Sequence, residues 1–271
     1  MRVASLYLAL STILSSSAAA QTCGSVASDL AVVFQELTQA ETSSAARSLQ
    51  PIEEAHPDCP EVILALARIA DANGDAQNAG DRFTQYLRLA PQDPRAYTYF
   101  GRFLIEQRQY DRADGLSVLA LEKNPNDPGA MALRGQILDM KGQPKEALEL
   151  LEKAARGDPD DPETQFYLGT IYDRAKRPAD AAKHFKKAIA IDPHNARAYD
   201  YLALNLEPLG ELDGAEEAYR KALESNRPGP HFDGFLDYNY ARFLMKRDDL
   251  KASKRHFDRA VELAPGVRAV W

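Results

Sequence analysis

The sequence predicts an all-α fold, an array of about seven helix-turn-helix units, and three observations predict it. Five prolines, Pro57, Pro91, Pro125, Pro159 and Pro193, stand at an unbroken spacing of 34 residues, and a strict period of that size marks one supersecondary unit repeated. Inside each period, apolar and small residues recur at i, i+3, i+4 and i+7 in two blocks, the pattern of two amphipathic helices. Punctuation falls at the block boundaries: glycine between the two blocks, and proline with a capping Asp or Asn at the end of the unit.

Taken in order, the chain opens with Arg2, a mostly apolar run from Val3 to Leu14, and small residues ending in Ala18-Ala19-Ala20. That order is the one of a secretory leader, with cleavage expected after Ala20. The run is shorter than the roughly 20 residues a bilayer span needs, so no membrane span is expected after cleavage. Residues 21–59 follow as a divergent N-terminal capping helix pair: Ala45, Leu49, Ile52 and Pro57 keep the columns, while Val33 and Glu36 replace the small and aromatic residues of later units. Cys23 and Cys59 are the only cysteines, an even count in an exported chain, and a disulfide is the natural pairing. A reactive thiol at a helix end is the other reading. Cys59 stands where the later units carry a capping Asp or Asn, a further hint that it is kept for a bond.

Five close repeats are expected over 60–227. With each ruler proline counted as position 32, position 8 holds Ala67, Gly101, Gly135, Gly169 and Ala203, and position 20 holds Ala79, Ala113, Ala147, Ala181 and Ala215. Small residues recur where two helices approach closely, and larger ones such as Phe83, Leu151, Phe185 and Tyr219 fill position 24. Gly74, Gly142 and Gly210 fit a helix end that needs positive φ. Asp93, Asp127, Asp161 and Asn195 are the expected N-caps, with Pro94, Pro128 and Pro162 preset in the first turn. An inserted loop at 228–233 shifts the register by four residues and predicts a bend or an exposed loop. A C-terminal repeat and cap, 234–271, then resumes with Tyr240, Ala241, Leu244, Phe257, Ala260 and Pro265, and Trp271 stands at position 4 of a further unit.

The stretch Tyr167-Leu168-Gly169, then Tyr172, Ala181, Phe185, Ala188 and Asp192-Pro193, resembles a tetratricopeptide repeat. The resemblance extends from Pro60 to about Asn226 and implies a right-handed superhelical solenoid whose concave face is lined by the first helix of each pair. On that face it implies a partner-binding set: Tyr99, Tyr167 and Tyr201 at position 6, Phe166 and Tyr238 at position 5, and Arg68, Arg102 and Arg242 at position 9. Tyrosine and arginine dominate binding hot spots because each joins a large contact area to a directional polar group. The alternative use of these tyrosines is packing between adjacent repeats. The carboxylate clamp of some members is not matched, since Thr98, Arg102, Leu133, Glu163 and Tyr167 stand at its places.

A net charge of −7 disfavours nonspecific binding to nucleic acid, which relies on clustered cations. The chain carries no HExxH pair, no cluster with metal-ligand spacing, no GxSxG elbow and no phosphate loop, so neither a metal, a cofactor nor catalysis is expected. His56, His184, His194, His231 and His256 read as scattered surface residues, and the basic runs 183–187 and 251–255 as the convex side. The expected role is a non-catalytic scaffold that binds a peptide or partner protein in its groove. The leader and the absence of any Asn-x-Ser/Thr acceptor place it in the bacterial periplasm or outside the cell. The alternatives are a part of type IV pilus or outer-membrane assembly machinery, and an accessory module regulating a separate enzyme.

Overall fold

The computed structural model describes residues 23, 26–39, 41–226 and 235–263. The expected leader (1–20), the inserted loop (228–233), His231, Pro265 and Trp271 lie outside the described residues. Fourteen α-helices in seven pairs make up the described fold, and no strand occurs among the described residues. The pairs are α1 (Ala27–Thr38) with α2 (Thr42–Ala55), α3 (Pro60–Ala72) with α4 (Ala76–Leu89), and α5 (Pro94–Glu106) with α6 (Tyr110–Lys123). They continue with α7 (Pro128–Met140) and α8 (Pro144–Gly157), α9 (Pro162–Arg174) and α10 (Pro178–Ile191), α11 (Ala196–Leu206) and α12 (Leu212–Ser225), and α13 (Phe235–Lys246) and α14 (Leu250–Leu263). Two compact units divide the chain, residues 1–124 and 125–271.

The helix starts follow the capping rule. The carboxylates of Asp127 and Asp161 accept from the backbone N–H of Ala130 (2.7 Å) and Thr164 (3.1 Å), the Asn195 side chain accepts from Ala198 (2.9 Å), and Asp93 accepts from Arg95 (2.9 Å). Each such bond satisfies one of the N–H groups that a helix start leaves without an internal partner. Cys59 makes no side-chain cap at the start of α3. Its sulfur is instead joined to Cys23, with the Cα atoms 5.7 Å apart.

Between the helices of the six pairs from α3–α4 to α13–α14 the chain passes through the left-handed region. Gly74, Gly142 and Gly210 take φ of 76° there, and the equivalent residues of three of these pairs, Arg108 (59°), Lys176 (58°) and Asp248 (64°), do the same. The turn geometry is thus a property of the helix pair, kept even where the side chain makes it costly.

Each unit has its own core. In the first, Val26, Leu30, Val33, Ala45, Leu49, Val62 and Ile69 pack around the buried Cys59. Val33, which departs from the small-residue column, is fully buried. In the second, Phe166, Phe185, Leu202, Leu206, Tyr219, Tyr240 and Phe243 form one cluster, with Ala181, Ala188, Ala198, Ala203 and Ala215 fully buried between them. The small column works by close approach: a Cβ on Gly169 would lie 2.6 Å from the Phe185 ring, and one on Gly135 would lie 2.7 Å from Leu151 Cγ. Despite the four inserted residues, α11 and α13 remain in contact. Repeat stacking therefore carries through the slip.

Candidate functional site

In the first unit the expected binding columns form a stack across three first helices. The Arg68 guanidinium carbon on α3 lies 5.3 Å from the centre of the Phe34 ring on α1 and 5.7 Å from that of Tyr99 on α5. A cation between two aromatic faces is stabilised by both ring quadrupoles, by about 0.5–1 kcal/mol each where solvent reaches. Arg68 and Tyr99 are half-buried, as is Arg102 one turn beyond Tyr99. Phe34 was not among the expected residues. Its signal was in the sequence, since it stands 34 residues before Arg68 in the same column.

In the second unit the expected residues divide in two. Phe166 is only 5% exposed, and its ring meets Tyr167 and Tyr201 edge-on at 5.5 Å and Phe185 at 5.7 Å. Tyr201 also meets Phe185 at 5.4 Å, and Arg197 lies 5.2 Å above Phe166. Tyr167 receives a hydrogen bond on its hydroxyl from Gln136 Nε2 of α7, at 2.5 Å. Phe166, expected on the partner-binding face, is therefore a core side chain, and Tyr167 and Tyr201 spend much of their surface holding neighbouring repeats together. Tyr238 and Arg242 sit further along on α13, with the guanidinium 5.8 Å from the ring centre one turn away. Both are half-buried.

A ladder of polar contacts between successive first helices escaped the sequence reading. Asp139 of α7 pairs with Arg174 of α9, Asp200 of α11 accepts from Asn239 of α13 at 2.7 Å, and Glu207 accepts from Lys246 at 2.6 Å. Burial pushes the Asp139 carboxyl above its ordinary value, and the Arg174 charge and hydrogen bond oppose that rise. The separations are 35 residues for Asp139 and Arg174 and 39 for Glu207 and Lys246. The difference is the size of the insertion, so both pairs join the same two columns. An acid at position 12 followed by a base at position 13 of the next unit was the available signal.

Two histidines expected at the surface instead sit inside helix pairs. His184 Nδ1 lies 2.9 Å from Gln165 Oε1, and His256 Nδ1 lies 2.7 Å from the carboxylate of the fully buried Asp237. Burial, followed by Lys187 and Lys183, holds the His184 imidazole below its ordinary value. Cys23, Cys59 and Glu61 bring three potential metal-ligating atoms within 4.8 Å of one another among the described residues. Joined as a disulfide, the two sulfurs are not thiolates, which are the form that ligates metals.

Known structures share this architecture. A chain of the APC/C hetero-tetramer Cut9-Hcn1 superposes with a TM-score of 0.71 at 16% identity, over 86% of this chain and 45% of that one. This chain thus spans less than half the length of that relative. The pilF protein of Pseudomonas aeruginosa matches with a TM-score of 0.58 at 17% identity, over 76% of this chain and 92% of that one. TTC0263, a thermophilic repeat protein of Thermus thermophilus, matches with a TM-score of 0.56 at 24% identity, over 69% and 99%. At such identities these likenesses concern the fold. No curated protein sequence matches the chain. Two family models described as tetratricopeptide repeat match, one at 36–94 and 141–196, the other at 70–137 and 174–237. Together they span well over half of the sequence, and the chain belongs to the tetratricopeptide repeat family.

Proposed function

We propose that the chain is a non-catalytic interaction scaffold of the bacterial cell envelope that binds a peptide or partner protein on the faces that the first helices form within each unit. The observation that carries this reading is the interleaving of cations and aromatic rings on those helices, Arg68 between Phe34 and Tyr99 in one unit and Arg242 against Tyr238 in the other. Half-buried tyrosine and arginine in one place combine rigid apolar area with directional donors, the composition of binding hot spots. Export is supported by the leader-like order of residues 1–20 and by the Cys23–Cys59 bond, since disulfides persist in oxidising compartments. A second reading, a part in type IV pilus or outer-membrane assembly, is supported at the level of fold by the likeness to pilF. The third, an accessory module beside a separate enzyme, makes the same use of the first-helix face.

The test is affinity capture from an envelope fraction, comparing the wild type with a Tyr99→Ala, Arg102→Ala double variant. Specific partners retained by the wild type and lost by the variant, with helix content unchanged, are expected. Their identity separates the three settings. Identical recovery by both proteins contradicts the assignment of the face. N-terminal sequencing of the exported protein is expected to begin at Gln21, and an intact Met1 in the cytoplasmic fraction contradicts export.

A further inference from the structure

In the second unit a cleft of about 390 Å³ opens between the end of α11, the 3₁₀ turn Glu207–Leu209, the start of α12 and the last turns of α13. Leu204, Leu212 and Phe243 give it an apolar floor, and Arg242, Lys246 and Arg247 surround it with cations. Its single acid is already engaged. Glu207 accepts from the Tyr219 hydroxyl through Oε1 at 2.6 Å and from Lys246 through Oε2, also at 2.6 Å. Arg247 lies 6.0 Å from the centre of the Phe243 ring and 3.8 Å from a fully exposed Asp213, a contact that solvent largely screens. Arg242 faces the Tyr238 ring at 5.8 Å. The lining thus carries an excess of positive charge in a chain whose net charge is −7. Leu212 and the adjacent Leu209 are 38% and 39% exposed beside these cations.

We propose that this cleft binds an acidic peptide segment in which a carboxylate lies next to an aliphatic or aromatic side chain. The carboxylate pairs with the guanidinium groups of Arg242 and Arg247, whose planar forks suit two-point hydrogen bonding to it. The neighbouring apolar side chain covers Leu204, Leu212 and Phe243, which removes apolar surface from water and dries the ion pair. This inference rests on the scaffold reading and narrows it to one site and one ligand chemistry.

The test pans a random peptide display library on the full-length, oxidised protein and measures enriched peptides by fluorescence anisotropy. Enriched sequences are expected to carry Asp or Glu beside Leu, Ile or Phe. Their affinity is expected to fall by about tenfold or more in an Arg242→Ala, Arg247→Ala double variant and as salt is raised. Leu212→Glu, a change at a partly exposed site, is the second variant and is expected to weaken binding by direct repulsion, with both variants melting as the wild type does. Enriched peptides that lack an acidic bias, or that bind both variants as tightly as the wild type, overturn this site while leaving the scaffold reading in place. A library that yields no binder likewise overturns this site, and the affinity capture above decides the scaffold reading.

Discussion

Replacing Gly169 by alanine would set a methyl carbon 2.6 Å from Cε1 and 2.8 Å from Cδ1 and Cζ of Phe185. The ring has little room to withdraw, because Phe185 is fully buried and packs against Phe166 at 5.7 Å and Tyr201 at 5.4 Å. Overpacking of this kind costs about 1–3 kcal/mol. Alanine is favoured over glycine in a helix by about 1 kcal/mol, which offsets part of it. Ala67 and Ala203 occupy the same column in other units and are fully buried, so the helix pair accommodates a methyl where the ring is seated differently. The net destabilisation should therefore be on the order of 1 kcal/mol. Gly115 is the control: a Cβ there meets nothing within 4 Å, and Gly115→Ala should stabilise by about 0.5–1 kcal/mol. Urea unfolding followed by circular dichroism measures both, with an unchanged m-value confirming that stability alone moved. A Phe185→Leu background should make Gly169→Ala nearly harmless, a coupling that a double-mutant cycle isolates. If Gly169→Ala raises the midpoint as Gly115→Ala does, the small column is not explained by close approach.

Three further outcomes follow from the turns, the staple and the half-buried imidazole of His184. Lys176→Gly, at φ of 58°, should stabilise the second unit by about 1 kcal/mol, and Gly142→Ala, at 76°, should destabilise it by a similar amount; a lower unfolding midpoint for Lys176→Gly contradicts the reading of the turn. Reducing the Cys23–Cys59 bond, which closes a separation of 36 residues, should remove up to about 4 kcal/mol and lower hydrogen-exchange protection in α1–α3; unchanged protection contradicts a structural role. Because burial and the neighbouring lysines depress the His184 pKa in the fold, the unfolded chain binds the proton more readily. The stability it contributes is complete above its ordinary value of 6.5 and is lost as pH falls from there toward the depressed folded value. His184→Gln should flatten that part of the pH–stability profile, and an unaltered profile refutes the assignment.

Much of the fold was legible because a repeat states each rule several times. A single Asp-Pro pair is weak evidence for a helix start, but Asp93, Asp127, Asp161 and Asn195 at one spacing leave little choice, and the cap bonds form at all four. The missing cap at Cys59 was readable for the same reason, as a departure from a stated rule. Side-chain use on the first helices was harder to read. Column 6 put Tyr167 and Tyr201 in the expected partner-binding set, with packing between adjacent repeats as the alternative, and the choice between the two depends on partners 30 or more residues away, such as Gln136 for Tyr167 and Phe166 for Tyr201. His184 and His256 were misplaced because residue type suggested a wet surface, while position 23 faces position 4 of the partner helix, where Gln165 and Asp237 stand.

Site-specific photo-crosslinking in the native cell tests most directly whether the first helices carry the binding surface. A benzophenone amino acid would be placed singly at Tyr99 and Tyr238 on first helices, and at the exposed Lys186 and Lys254 on second helices. A discrete crosslinked partner is expected from the first-helix positions and none from the second-helix ones. Adducts arising only from Lys186 or Lys254 would contradict this placement of the binding surface.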